Sequence, residues 1–232
     1  MNKWIHWVFN RAILLIVVLT VSVLEPLSAR ADQIHLPIEI MIDAGHGGID
    51  GGTSYGDTLE KTINLEVALK LYKLLNEDGY QVILNRTGDY ALSDENEWLR
   101  HPSRHIRDLA QRKQLAAEVD PQLLISLHVN WSSNPTQSGP VVLYQKSGLS
   151  YLLATVIQQR LNHLYGSKES PRKGKTFYLL NKTSMPTVIV EMGFLSNPHD
   201  RAKLTTPKGQ EQLARAIGEA VKDYVILTGY FP

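Results

Sequence analysis

Three short apolar runs, each stopping at or just before a side chain able to bind a metal or move a proton, constrain this chain more than any other feature. Ile38–Asp43 leads to His46, Leu123–Leu127 leads to His128, and Val188–Val190 leads to Glu191. Runs this short and continuously apolar read as strands buried on both faces, which is the pattern of a parallel sheet. Parallel strands finish on a common edge, and open α/β sheets bind ligands at that edge. Glu60 adds a fourth group, because it opens a helical stretch from about Leu59 to Asp78. Two imidazoles and two carboxylates brought to one edge have the composition of a hydrolytic zinc site.

The rest of the chain supplies what such a sheet needs. Gln81–Leu84, Val141–Tyr144, Thr176–Leu180 and Thr187–Glu191 read as further strands. Ile63, Val67, Leu71, Leu74 and Leu75 give the first helix an apolar face at helical spacing, and Gly79 stops it. Ile106–Val119, Tyr151–Leu164 and Lys208–Leu227 read as three more helices. The stretches 89–107 and 166–175 read as a polar excursion and a basic loop. Strands alternating with helices predict a doubly wound α/β layer structure. The expectation is a single domain with a mostly parallel twisted sheet of about six strands and helices on both faces, occupying residues 38–227, with a tail at 228–232.

The 232 residues carry a formal net charge of +1, so no bulk electrostatic drive toward nucleic acid or an anionic membrane is visible. Eight histidines stand beside no cysteine, which excludes disulfides and any thiolate zinc site. At the N-terminus, Lys3 and Arg11 precede the apolar stretch Ala12–Leu24, and Ala29-Arg30-Ala31 follows. That order predicts an export signal over residues 1–31, with an uncleaved membrane anchor as the alternative, then a linker at 32–37. The protein is therefore expected outside the cytoplasmic membrane.

Each candidate residue has a plainer alternative. His46 lies in the glycine-rich turn Asp43-Ala44-Gly45-His46-Gly47-Gly48, where it reads equally as an ordinary loop histidine. Asp43 is a candidate to fix the tautomer of a ligand histidine, or it holds the turn. Glu60 ends Asp57-Thr58-Leu59-Glu60, which matches a capping box, although Asp57 could cap unaided. Ser126, His128 and Asn130 share one face of a strand end by period-two alternation, and His128 alone reads equally as a satisfied buried histidine. Glu191 closes a β-branched run, where a carboxylate is costly unless it is functional or paired, with Arg86 or Arg112 as the possible partner. His101, His105, His163 and His199 read as surface residues without a role.

Taken together, Ile42-Asp43-Ala44-Gly45-His46-Gly47-Gly48, Glu60, Ser126-Leu127-His128-Val129-Asn130 and Val190-Glu191-Met192-Gly193-Phe194-Leu195-Ser196-Asn197 resemble the zinc-dependent N-acetylmuramoyl-L-alanine amidases of bacterial cell-wall metabolism. The resemblance runs from Ile38 to about Val225; Ala44 stands where proline is common, and Arg86 and Arg112 match positions the family usually keeps. It implies that His46, Glu60 and His128 bind Zn2+ and that Glu191 is the catalytic acid/base. The reaction implied is hydrolysis of the amide between N-acetylmuramic acid and L-alanine in peptidoglycan. The stretch Arg104–Arg112, and Tyr178-Leu179-Leu180 ahead of Pro186, are similar to the germination-specific, spore-cortex branch. That branch implies a role in muramic lactam formation and a peptidoglycan deacetylase acting next. After Asp32 there is room for the catalytic domain alone, so access to the substrate is expected to come from the protein's location or from an activating partner protein. The alternatives are a catalytically silent wall-binding or regulatory protein on the same fold, and a zinc peptidase or deacetylase acting on the same polymer.

Overall fold

The computed structural model describes residues 38–229. The expected export or anchor segment (1–31), the linker (32–37) and the last three residues of the tail lie outside them. In chain order the strands are β1 (Ile40–Ala44), β2 (Ser54–Tyr55), β3 (Thr58–Leu59), β4 (Val82–Leu84), β5 (Leu123–Asn130), β6 (Val141–Tyr144), β7 (Arg172–Lys173) and β8 (Thr187–Phe194). The α-helices are α1 (Glu60–Glu77), α2 (Arg104–Val119), α3 (Gly148–Tyr165), α4 (Tyr178–Lys182), α5 (Pro198–Thr205) and α6 (Pro207–Thr228). Six strands form one sheet in the order β4-β1-β5-β8-β6-β7; β2 and β3 make a separate hairpin ahead of α1. Within the large sheet β6 runs antiparallel to β8 and the other pairings are parallel.

Period-two alternation sorts the sheet's side chains onto two unlike faces. Ile40, Ile42, Leu123, Ile125, Leu127, Val188 and Val190 join α1, α3 and α6 in the main apolar core. The opposite face carries two smaller apolar clusters. Met41 and Leu124 pack with Ala116 of α2, and Val141, Leu143 and Ile189 pack with Leu180 of α4. Asp43, Ser126, His128 and Glu191 follow the alternation onto this second face. The fold is thus anchored on one side of the sheet and leaves the other side room for polar groups.

Two expectations need correction. Thr176–Leu180 is not a strand: its second half forms α4, and the edge of β6 is taken instead by Arg172 and Lys173. Leu179 and Leu180 are consecutive and both buried, at 3% and 2% exposure, which suits a helix lying over a sheet face better than an edge strand whose neighbours alternate in and out. The capping box does not form either. Leu59 is the N-cap of α1 and makes no side-chain cap bond, while Asp57 sits exposed in the turn between β2 and β3.

Candidate metal and catalytic site

Beyond β1 the chain turns sharply through Gly45 and His46. A Cβ on Gly45 would lie 2.4 Å from Cε1 of His128, so only glycine lets this backbone pass against that ring. His46 itself has φ of 61°, a conformation that a side-chain-bearing residue adopts only when its surroundings impose it. Two buried arginines impose it. Arg86 donates from Nε to the Ala44 carbonyl at 3.0 Å and from Nη2 to the Gly45 carbonyl at 3.0 Å. Arg112 donates from Nη1 to the Ala44 carbonyl and from Nη2 to the His46 carbonyl, both at 2.8 Å. Neither arginine pairs with Glu191; Arg112 is paired with Asp43 and Asp108.

Glu60 is the first residue of α1, and the β2–β3 hairpin delivers it to the end of the sheet. Its Oε2 accepts the Thr53 N–H at 2.9 Å; its Oε1 accepts the Val129 N–H at 3.0 Å and Nδ2 of Asn64 at 3.3 Å. Beside Val129 the pairing of β5 with β8 shifts register, from His128–Glu191 to Asn130–Phe194. The extra residue falls in β8, where Gly193 has φ of 153° and a Cβ would meet Oη of Tyr165 at 2.9 Å. This β-bulge is a local reason for the glycine in the motif Glu191-Met192-Gly193.

The three candidate ligands converge. His46 Nε2 lies 3.2 Å and His128 Nδ1 3.0 Å from the same Glu60 oxygen, Oε1. The two imidazoles meet edge to face with centroids 5.0 Å apart. One ligand atom from each of His46, Glu60 and His128 falls within 4.8 Å of the others, so these side chains offer three donors to a single metal ion. Glu191 is the register partner of His128 on the adjacent strand and faces the same side. All four groups named from the sequence therefore occupy one edge of the sheet.

Electrostatics set His46, Glu60 and Glu191 apart. Burial alone would lower the pKa of His46, but the carboxylates of Asp50 and Glu60 outweigh it and raise it to about 9. Burial would raise the Glu60 carboxyl, yet His128 and His46 hold it well below the usual range. Glu191 moves the other way, because burial pushes its carboxyl up against the pull of His128. The result is a site whose charges are balanced mainly by one another.

Of the two roles open to Asp43 in the sequence, the structure shows the second, holding the turn. Asp43 makes no hydrogen bond or ion pair with either candidate ligand histidine; it binds Arg112, Ser126 and Asn85. The carboxylate beside a ligand is Asp50, whose Oδ2 is 2.9 Å from Nδ1 of His46. Asp50 lies in a glycine-flanked loop with no periodicity, and its spacing of four from His46 was the only available signal. The loop closes by a bridge between Gly47 and Asp50, which brings the carboxylate back over the ring. His105 remains exposed, but it sits at the rim of a cleft that reaches His128 and Glu191.

The wider comparisons agree with this geometry. Residues 40–223 match the family model described as N-acetylmuramoyl-L-alanine amidase. The germination-specific N-acetylmuramoyl-L-alanine amidase of Bacillus subtilis (strain 168) is 34% identical over 187 residues, 80% of this chain and 78% of that protein. Among solved structures, the CwlD amidase of Clostridioides difficile, in complex with the GerS lipoprotein, superposes with a TM-score of 0.76 at 31% identity, covering 82% of this chain and 98% of that one. The catalytic domain of CwlV, an N-acetylmuramoyl-L-alanine amidase from Bacillus (Paenibacillus) polymyxa, gives 0.68 at 28% identity, with 82% and 98% covered. The chain belongs to the N-acetylmuramoyl-L-alanine amidase family.

Proposed function

We propose that this protein hydrolyses the amide joining the lactyl group of N-acetylmuramic acid to L-alanine of the peptidoglycan stem peptide. The observation that carries the reading is the meeting of His46, Glu60 and His128 around one point, with Glu191 beside them on the next strand. Two imidazole nitrogens and one carboxylate oxygen suit zinc and leave room for a further ligand, as catalytic zinc sites do. When bound, zinc supplies Lewis-acid polarisation of the amide carbonyl and activation of water.

The protein's own groups account for the remaining steps. Glu191 accepts the proton of the attacking water on its carboxylate and passes it to the nitrogen of the departing L-alanine. A carboxyl whose pKa is raised by burial suits both duties better than one fixed in the ordinary range. Asp50 and the backbone N–H groups of Thr53 and Val129 hold the His46 ring and the Glu60 carboxylate in place.

The same reading places the enzyme outside the cytoplasmic membrane, exported or anchored by residues 1–31, on the charged, apolar and Ala29-Arg30-Ala31 order of that segment. Similarity to a germination-specific amidase, and to one solved with a lipoprotein, supports work in spore-cortex maturation with an activating protein partner. A peptidoglycan deacetylase would then consume the product on the way to muramic lactam.

The test is mass analysis of peptidoglycan digested by the zinc-loaded protein. Free muramyl saccharides together with peptides beginning at L-alanine are expected. Loss of acetyl groups, or release of amino acids from the peptide's far end, would instead identify a deacetylase or a peptidase.

A further inference from the structure

A cleft of about 540 Å³ opens beside Glu191 on the second face of the sheet. Ile189 and Glu191 of β8 lie at its base, and Leu109 of α2 lines one side. The other side is the segment from Lys175 to Lys182, including the half-exposed Phe177. This segment is fixed at three points. The Gly174 N–H donates to the Tyr144 carbonyl at 3.0 Å, Leu180 packs in the apolar cluster over β6 and β8, and Nδ2 of Asn181 donates to the carbonyls of Lys175 at 3.1 Å and Phe177 at 2.7 Å.

The charge of this cleft is one-sided. Among the described residues Glu191 is its only carboxylate, whereas Lys175 and Lys182 both line it. Neither lysine takes part in an ion pair among the described residues, while Lys61 and Lys222 are each paired with an aspartate. The reaction fixes what enters. Glu191 delivers its proton to the leaving amine, so the peptide that begins at that amine must start at Glu191, where the cleft begins. The other product, an uncharged amino sugar bearing the lactyl group, offers the lysines no anion before the amide is cut. A stem peptide, in contrast, carries free carboxylates.

We propose that this cleft seats the leaving peptide and that Lys175 and Lys182 read a free carboxylate on it, making them specificity residues of the enzyme. The inference rests on the amidase reading above for its direction. Exposed lysines of this kind act through screened attraction, so discrimination between the carboxylate and its neutral amide is roughly three- to tenfold and shrinks as salt rises.

The experiment uses the zinc-loaded protein, the tripeptide L-alanyl-γ-D-glutamyl-L-lysine and the same tripeptide amidated at the glutamyl α-carboxylate. Binding is followed by chemical-shift titration, and hydrolysis by kcat/KM on the two muramyl tripeptides. Wild type is expected to prefer the acid in both measurements; the double variant Lys175→Gln, Lys182→Gln is expected to keep its zinc, fold and rate on the amidated substrate while losing the preference. Equal binding of acid and amide by wild type, or an undiminished preference in the double variant, overturns the proposal. If the peptide preference is present and no muramyl substrate is cut, the amidase reading fails and the carboxylate site stands. If hydrolysis proceeds with no preference, the reverse holds.

Discussion

Asp43 and Glu60 are both carboxylates buried at the C-terminal end of the sheet, and they differ in what surrounds them. Asp43 meets a permanent cation: Arg112 donates to it at 2.6 Å, and Ser126 and Asn85 complete its hydrogen bonds. Burial would raise its pKa, but Arg112 and Ser126 more than reverse that. Arg112 is closed in turn by Asp108 and by the carbonyls of Ala44 and His46. Glu60 has neutral donors and two imidazoles, whose charge depends on a proton that a metal ion can displace. The first cluster is satisfied from within and holds a loop; the second is satisfied only provisionally. A buried charge closed by an arginine and fixed neutral donors reads as structure, and one paired with exchangeable groups reads as a site.

The comparison is broken most severely through Arg112. Replacing it by methionine strands Asp43 and Asp108, and a loss of about 3–5 kcal/mol in unfolding free energy is expected. Denaturant titration measures it, and a loss under about 1 kcal/mol would mean the cluster does not hold the fold. Glu60→Gln should behave differently. The amide oxygen still accepts the Thr53 or Val129 N–H, so the metal-free protein should lose only the roughly 1–2 kcal/mol of weakened hydrogen bonding, while stoichiometric zinc binding disappears. Denaturant titration in chelator and metal analysis together check this; destabilisation equal to that of Arg112→Met would erase the distinction.

Asp50→Asn probes the contact behind His46. It leaves three ligands in place, so zinc should still bind, with affinity lower by about 10–100-fold. Competition with a coloured chelator reads the change, and unaltered affinity would remove Asp50 from the site.

The mildest perturbation is pH, and its two effects have opposite signs. With a pKa of about 9 against an ordinary 6.5, the protonated His46 stabilises the metal-free fold fully below about pH 6.5, and that contribution is lost as pH rises through about 9. Metal binding needs the neutral ring, so zinc affinity should instead climb by up to about tenfold per pH unit until about pH 9. Thermal unfolding with and without zinc across this range should show the two slopes diverging; parallel slopes would contradict the assignment of His46.

Much of this is legible in the sequence, for physical reasons that also explain what is not. β1, β5 and β8 announce themselves because both of their faces are covered, which forces continuous apolar runs. The period of two then carries Ser126, His128 and Glu191 to one face. The segment 176–180 reads as a strand because Thr-Phe-Tyr suits one, while its conformation is decided by the need to cover Val141, Leu143 and Ile189. Glu60 was ambiguous because the signal for a capping carboxylate is the same as that for a ligand at a helix start, and only the path of the β2–β3 hairpin separates them. Asp50 and Lys175 lie on loops, and Lys182 ends the short helix α4, whose positions depend on hydrogen bonds and packing that leave no periodic trace.

The central claim divides labour between three ligands and one acid/base, and the substitution Glu191→Gln tests it most directly. Gln is nearly isosteric and neutral, so the protein should fold and retain about one zinc per chain. It cannot accept the proton of water, and the amidase rate should fall by at least about 10²–10⁴-fold. Zinc content and rate are measured on the same preparation. A variant that keeps its zinc and a near-wild-type rate would take Glu191 out of the mechanism, and a folded variant that loses zinc would make Glu191 a ligand.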